Sequence, residues 1–207
     1  MSKLLFLSLR TGEIGPDAAR AEYHDALKAA GMDEVDMELR IIGSPDVEIG
    51  PLSGIDGVIV GGSSLNVTNA ESEAGYDPYQ RHVHALLGGL VESGLPVFFV
   101  CFGLSWMVYY CGGSVGRDHP EDSGPTEVYP TVAGREDALL AGAPEKFTAL
   151  TGHTENPQDV PEGLELLAVG PGGLIQMVRY GAHVWATQFH AEMDADAMRT
   201  RMDFYYD

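Results

Sequence analysis

The sequence predicts an α/β fold: a mostly parallel sheet with helices on both faces. Three observations carry that prediction. Short apolar runs alternate with stretches of helical period along the chain. The first run, Leu4 to Leu9, lacks the in–out alternation of a strand with one wet face, so it reads as a strand buried on both sides. At Cys101, the apolar run Pro96–Val100 turns directly into a helical stretch, a strand–nucleophile–helix junction of the nucleophile-elbow kind.

The elements follow in order. Lys3–Leu9 is a strand, and Pro16–Ala30 a helix with Ala19, Tyr23, Ala26, Leu27 and Ala30 on one face and Gly31 as its stop. Met37–Ile42 and Ile55–Val60 are strands, the second ending in Gly61-Gly62, after which a polar loop runs to Asp77. Asp77 caps and Pro78 opens a helix whose buried face is Tyr79, Val83, Leu86, Leu87, Leu90 and Val91, with Gly94 ending it. The helix Phe102–Cys111 is apolar nearly all round and therefore internal, and Gly112-Gly113 breaks it. Residues 117–126 are polar, carry two prolines and read as a surface loop over the site. Glu127–Val132, Lys146–Leu150, Leu164–Val169, Leu174–Arg179 and Val184–Phe189 are short strands between glycine-rich turns, the pattern of antiparallel hairpins. Met198, Met202, Tyr205 and Tyr206 mark a last helical face. There is no internal repeat or linker, so one domain over 1–207 is expected.

The chemistry starts at Cys101. A thiol at a strand-to-helix turn sits over the helix N-terminus, which favours its thiolate and leaves the first backbone N–H groups free for an oxyanion. Cys111, at the other end of that helix, meets the negative dipole end and is assigned to packing. Two further strand ends complete the set. Val184–Ala186 leads into Thr187-Gln188-Phe189-His190-Ala191-Glu192, a base with an acid two residues on, and Gly57–Val60 leads into the Gly61-Gly62 turn. His153-Thr154-Glu155 repeats the His-x-Glu spacing and is read as lining the pocket. His82 and His84 fall on different faces of their helix and read as solvated. No metal site is predicted.

With these residues in place, the chain resembles the class I glutamine amidotransferases, specifically the stand-alone type similar to the glutaminase domain of GMP synthase. The likeness runs through the glycine turn, the elbow, Gly112-Gly113-Ser114-Val115-Gly116-Arg117 and the closing Gln-Phe-His-x-Glu. It implies a flavodoxin-like class I amidotransferase fold and hydrolysis of the glutamine side-chain amide through a thioester, the ammonia passing to an acceptor. Cys101 would be the nucleophile, His190 the base and Glu192 its orienting acid. The backbone N–H groups of Phe102 and of the Gly61-Gly62 turn, at Gly62, would form the oxyanion hole. Three positions depart from the family pattern: Phe99 replaces the first glycine of Gly-x-Cys-x-Gly, Ser105 the glutamine four residues after the nucleophile, and Ala191 the proline between His and Glu. Since that glutamine lies in the substrate pocket, Ser105 bears on substrate choice.

Composition narrows the setting. The 207 residues carry 31 acidic against 12 basic side chains, a formal charge of −19 spread along the chain, which disfavours nucleic acid and anionic membranes as partners. Two cysteines without a disulfide framework, and no apolar stretch long enough for a span or signal, point to a reducing, cytoplasmic setting. No cofactor is implied: Gly61-Gly62-Ser63-Ser64 lacks the Gly-Lys-Ser/Thr of a phosphate-binding loop. The expected substrate is glutamine, with the ammonia acceptor on a separate synthase subunit. A γ-glutamyl hydrolase acting on another γ-glutamyl compound, and a non-catalytic binding or regulatory protein on the same scaffold, remain the alternatives.

Overall fold

The computed structural model describes residues 2–69 and 78–206, the side chains of 203–206 excepted. Its elements in chain order are β1 (Leu4–Ser8), α1 (Gly15–Ala30), β2 (Met37–Ile41), β3 (Gly57–Val60), α2 (Pro78–Glu92), β4 (Val97–Val100), α3 (Phe102–Tyr110), β5 (Val115–Gly116), β6 (Glu121–Pro130), α4 (Val132–Glu136), β7 (Phe147–His153), β8 (Asn156–Pro157), β9 (Leu164–Val169), β10 (Ile175–Tyr180), β11 (Val184–Thr187) and α5 (Ala195–Tyr206). The main sheet runs β2-β1-β3-β4-β11-β10-β9-β6-β7, and β5 pairs with β8 apart from it. The strands from β2 to β11 are mutually parallel, and β11 begins an antiparallel extension through β10, β9, β6 and β7.

Alternate residues of β1 feed opposite layers. Leu5, Leu7 and Leu9 join Val58, Val60, Val97 and Phe99 beneath α2 and α3, whereas Phe6 packs with Tyr23, Ala26 and Leu27 of α1. Burial on both faces explains why these runs read as continuous apolar segments. Gly31 closes α1 at φ 61°, a left-handed cap returning its N–H to the last turn, as the sequence requires. Tyr79 anchors the start of α2 by donating its hydroxyl to Leu9 O at 2.9 Å and Ile42 O at 2.6 Å, next to the carboxyl ends of β1 and β2.

Four expectations change. Residues 121–126 are not loop: they form the first half of β6, pairing with β7 despite their Asp, Gly and Pro content, with an irregular register between Glu121 and Gly124. The short helix α4, capped by the Thr131 hydroxyl accepting from Gly134 N, interrupts what the apolar pattern extended as strand. Ala30 is exposed and leaves the buried face of α1, where Glu22 takes a place instead. His82 and His84 are half-buried and bonded, His82 Nε2 to Val47 O at 2.9 Å and His84 Nδ1 accepting from Trp106 Nε1 at 3.1 Å. Asp77 and the side chains of Tyr205 and Tyr206 lie outside the described residues. No described helix is long and apolar enough to cross a membrane.

Candidate active site

Parallel strands deliver their carboxyl ends to one edge of the sheet, where ligands bind in open α/β folds. Here β3, β4 and β11 bring Gly61-Gly62, Cys101 and Gln188–Glu192 to the same edge. Cys101 is half-buried, with φ 55° and ψ −96°, and is the one non-glycine residue at positive φ among those described. Such backbone strain, of order 1–3 kcal/mol, persists only where the surroundings enforce it. They do so from both sides: Cys101 N donates to Thr187 O at 2.7 Å, extending the β4–β11 ladder, while Leu104 N donates to Cys101 O at 2.9 Å, starting the helix.

Phe99, standing where small residues are usual, turns away from the pocket into the core, fully buried and 5.5 Å from the Trp106 ring. Its neighbour allows this: a Cβ on Gly103 would lie 2.5 Å from Phe99 Cβ. Gly103→Ala is therefore expected to lower stability by about 1–3 kcal/mol through overpacking at the elbow, read from chemical denaturation midpoints.

His190 is buried beside the thiol, and the Glu192 side chain is largely so. The His190 backbone N–H is fixed to Leu150 O of β7 at 2.8 Å, and its Nδ1 lies 2.7 Å from Glu192 Oε1, leaving Nε2 for the sulfur side. Burial alone would lower the His190 pKa, but the Glu192 charge and hydrogen bonds to Cys101 and Glu192 outweigh it and raise the value to about 9. Burial likewise opposes ionisation of Glu192, and the charges of His190 and Arg201 overcome it, holding the carboxyl down at about 2. The Cys111 thiol is pushed up by burial.

The other predicted residues gather here as well. A Cβ on Gly62 would lie 3.3 Å from His190 Cε1 and 3.9 Å from Cys101 Cβ, so this backbone passes directly against both side chains. Gly61, just before it, abuts the Phe6 ring. Phe102, Ser105 and His153 line a cavity of about 540 Å³ that includes Cys101 and His190. Ser105 is buried in α3. His153 joins two walls of the cavity, with Nδ1 2.7 Å from Glu155 O and Nε2 2.7 Å from Glu121 Oε2.

Sequence reasoning missed a set of charged residues around this cluster. Arg201 of α5 donates Nη2 to Glu192 Oε1 at 2.9 Å, and Glu22 of α1 accepts from Arg10, which lines the cavity. The available signal was position: Glu22 falls among Ala18, Ala19, Tyr23 and Ala26 on the buried face of α1. Glu121, read as loop, accepts from His153, Gln176 and Thr126. Gln188 approaches the sulfur, its Nε2 3.8 Å from Cys101 Sγ.

Known proteins resemble this chain in sequence and in fold. It is 30% identical over 104 residues to a subunit of the glutamine-hydrolysing GMP synthase of Methanocaldococcus jannaschii, covering 50% of this chain and 54% of that one. It is 29% identical over 158 residues to the GMP synthase of Thermotoga sp. strain RQ2, covering 76% of this chain but 28% of that protein. The chain thus spans about half, or less, of these curated relatives. Among solved structures, a glutamine amidotransferase from Thermotoga maritima superposes with TM-score 0.76 at 20% identity, covering 100% of this chain and 84% of that one. A protein from Thermoplasma acidophilum, described as a GMP synthase subunit, gives TM-score 0.68 at 18% identity, covering 100% and 99%. At such identities these two likenesses speak to the fold. The sequence profile described as "Glutamine amidotransferase class-I" matches residues 23–205, and the chain belongs to that family.

Proposed function

We propose that this protein hydrolyses the side-chain amide of glutamine through Cys101, His190 and Glu192 and hands the ammonia to an acceptor carried by a separate protein. The carrying observation is the thiol of Cys101, on a strained backbone, set against the His190–Glu192 pair. His190 takes the thiol proton, and the sulfur attacks the amide carbon. The tetrahedral oxyanion is bound by the Phe102 and Gly62 N–H groups at the helix start and glycine turn. When the C–N bond breaks, the imidazolium proton goes to the nitrogen, which leaves as ammonia. Water, deprotonated by His190, then splits the thioester, releasing glutamate and returning the thiol. Glu192 holds the imidazole tautomer and stabilises the imidazolium. No cofactor is invoked, and a cytoplasmic setting suits a reduced thiol.

Family membership supports amide chemistry, and the relative that forms one subunit of a glutamine-hydrolysing GMP synthase makes a synthase a reasonable acceptor. A second reading, hydrolysis of a larger γ-glutamyl compound, is favoured by Ser105 at the buried wall and by a cavity of about 540 Å³ that includes Met193, Met198 and Met202, in the range that holds drug-sized ligands. Glutamine and a panel of γ-glutamyl amides and peptides, each assayed with and without cell extract, separate the two. Extract-dependent ammonia transfer supports the amidotransferase, and cleavage of the larger substrates alone supports the hydrolase. Tight binding without turnover supports a non-catalytic role. Gly62→Ala places a methyl 3.3 Å from His190 Cε1. It is expected to cut kcat about tenfold or more with the fold retained, as measured by steady-state kinetics and circular dichroism.

A further inference from the structure

Arg201 projects from α5 into the molecule and is buried. Its Nη2 donates to Glu192 Oε1 at 2.9 Å and lies 3.6 Å from Asp25 Oδ2, and its Nη1 stands 3.1 Å from His190 Nδ1 and 3.7 Å from Glu22 Oε1. Glu22 in turn binds Arg10, whose Nε and Nη2 donate to Oε1 at 2.9 and 2.5 Å. Charges of alternating sign therefore run from the cavity edge at Arg10, through α1 and α5, to Glu192 and His190. The chain has 12 basic residues against 31 acidic ones, and two of those scarce cations lie at this one site.

A structural staple is a poor explanation. Buried ion pairs seldom offset their own desolvation, and this cluster leaves Glu22 Oε2, Glu192 Oε2 and Arg201 Nε buried without a hydrogen-bond partner among the described residues. What the arrangement does achieve is local: one carboxylate oxygen, Glu192 Oε1, serves both His190 and Arg201. Two anchors fix the carboxylate more tightly than one, and the second anchor is a permanent cation that competes with the imidazole for the same oxygen. We propose that Arg201 is a positioning residue of the active site, holding Glu192 in register with His190 and moderating that carboxylate's grip on the imidazole proton. The docking of α5 on α1 thereby becomes part of the catalytic apparatus. The proposal rests on the reading of Cys101, His190 and Glu192 as an amide-cleaving set.

The charged and titratable groups around His190 are Cys101 from the elbow, Glu192 from its own segment, Arg201 from α5, Glu22 and Asp25 from α1 behind Arg201, and Arg10 beside Gly62. The test compares Arg201→Met, Arg201→Lys and Glu22→Gln in the full chain. It uses steady-state kinetics on glutamine, the NMR titration of His190, and the pH dependence of Cys101 alkylation by iodoacetamide. Arg201→Met is expected to lose kcat by on the order of 10–100-fold with KM little changed, the size usual for a group acting through another, and Arg201→Lys to recover part of it. With the competing cation gone, the His190 midpoint should move up. In Glu22→Gln, where Arg201 keeps its charge but loses a counter-ion, it should move down. The opposite signs distinguish tuning from simple loss of structure. Midpoints and alkylation profiles that stay at the wild-type pH in folded Arg201→Met and Glu22→Gln would overturn the proposal, as would Arg201→Lys no better than Arg201→Met. Absence of turnover in the wild type would remove the amidase reading, while the titration and alkylation data would still decide the role of Arg201.

Discussion

Cys101→Ala is expected to abolish turnover, by on the order of 10⁵-fold, while leaving the fold intact, because the proposed mechanism forms its acyl bond on this sulfur. Its partner experiment is labelling. Burial pushes the Cys111 thiol up and away from its reactive form, whereas Cys101 lines the cavity that His190 also lines. Iodoacetamide or a glutamine-like electrophile at neutral pH should therefore modify Cys101 well before Cys111, as peptide mass spectrometry would record. Wild-type activity in Cys101→Ala, or first modification at Cys111, would leave the family resemblance one of scaffold alone.

Glu192→Gln should cost about 10³–10⁴-fold in kcat, less than loss of the nucleophile, because it removes the charge that holds the His190 tautomer and proton while keeping the side-chain shape. The His190 midpoint should fall from about 9 toward 6.5, since burial then acts against the imidazolium with less opposition. Stability follows with a definite sign. A raised His190 pKa contributes stability that is complete below pH 6.5 and lost as pH climbs through about 9. The depressed Glu192 contributes above pH 4.5 and loses it as pH falls through about 2. The two shifts share the His190–Glu192 pairing, worth about 3 kcal/mol at most, and Arg201 adds to the second. Urea denaturation of wild type and Glu192→Gln should thus differ most between those limits, near pH 5–6, and the gap should narrow above pH 9. A gap that widens from pH 6.5 to 9 would contradict the pairing.

The parts of the site legible in the sequence were those whose signal is local. Cys101 and Gly62 each follow their own strand directly, and His190 and Glu192 sit two residues apart just beyond a third, so a short window contained both the strand and the chemistry. Arg10, Glu22 and Arg201 gave no such signal. Glu22 could be suspected from its place on the buried face of α1, but nothing local pointed it at Arg10 or at Arg201, the latter on an element remote in sequence. The same limit applied to residues 121–126, where Asp, Gly and Pro argue for a loop and only pairing with β7 makes a strand. Strand order was equally hidden. The glycine turn before Val184 marks a hairpin with β10, but nothing in the pattern of 184–187 says that this segment also pairs in parallel with β4.

Strand β11 comes after every other strand in the chain, yet it lies inside the sheet, parallel to β4 on one side and antiparallel to β10 on the other. During synthesis, β1–β4 and the β9–β10 hairpin emerge first with open edges facing the gap that β11 will fill, and such edges invite pairing with other chains. Closing the gap joins segments far apart in sequence, so it carries the loop-closure entropy that makes non-local pairing slow. The step that brings His190 to Cys101 is the same step that joins the two halves of the sheet, so the proposed pairing of thiol and imidazole can form only with this closure.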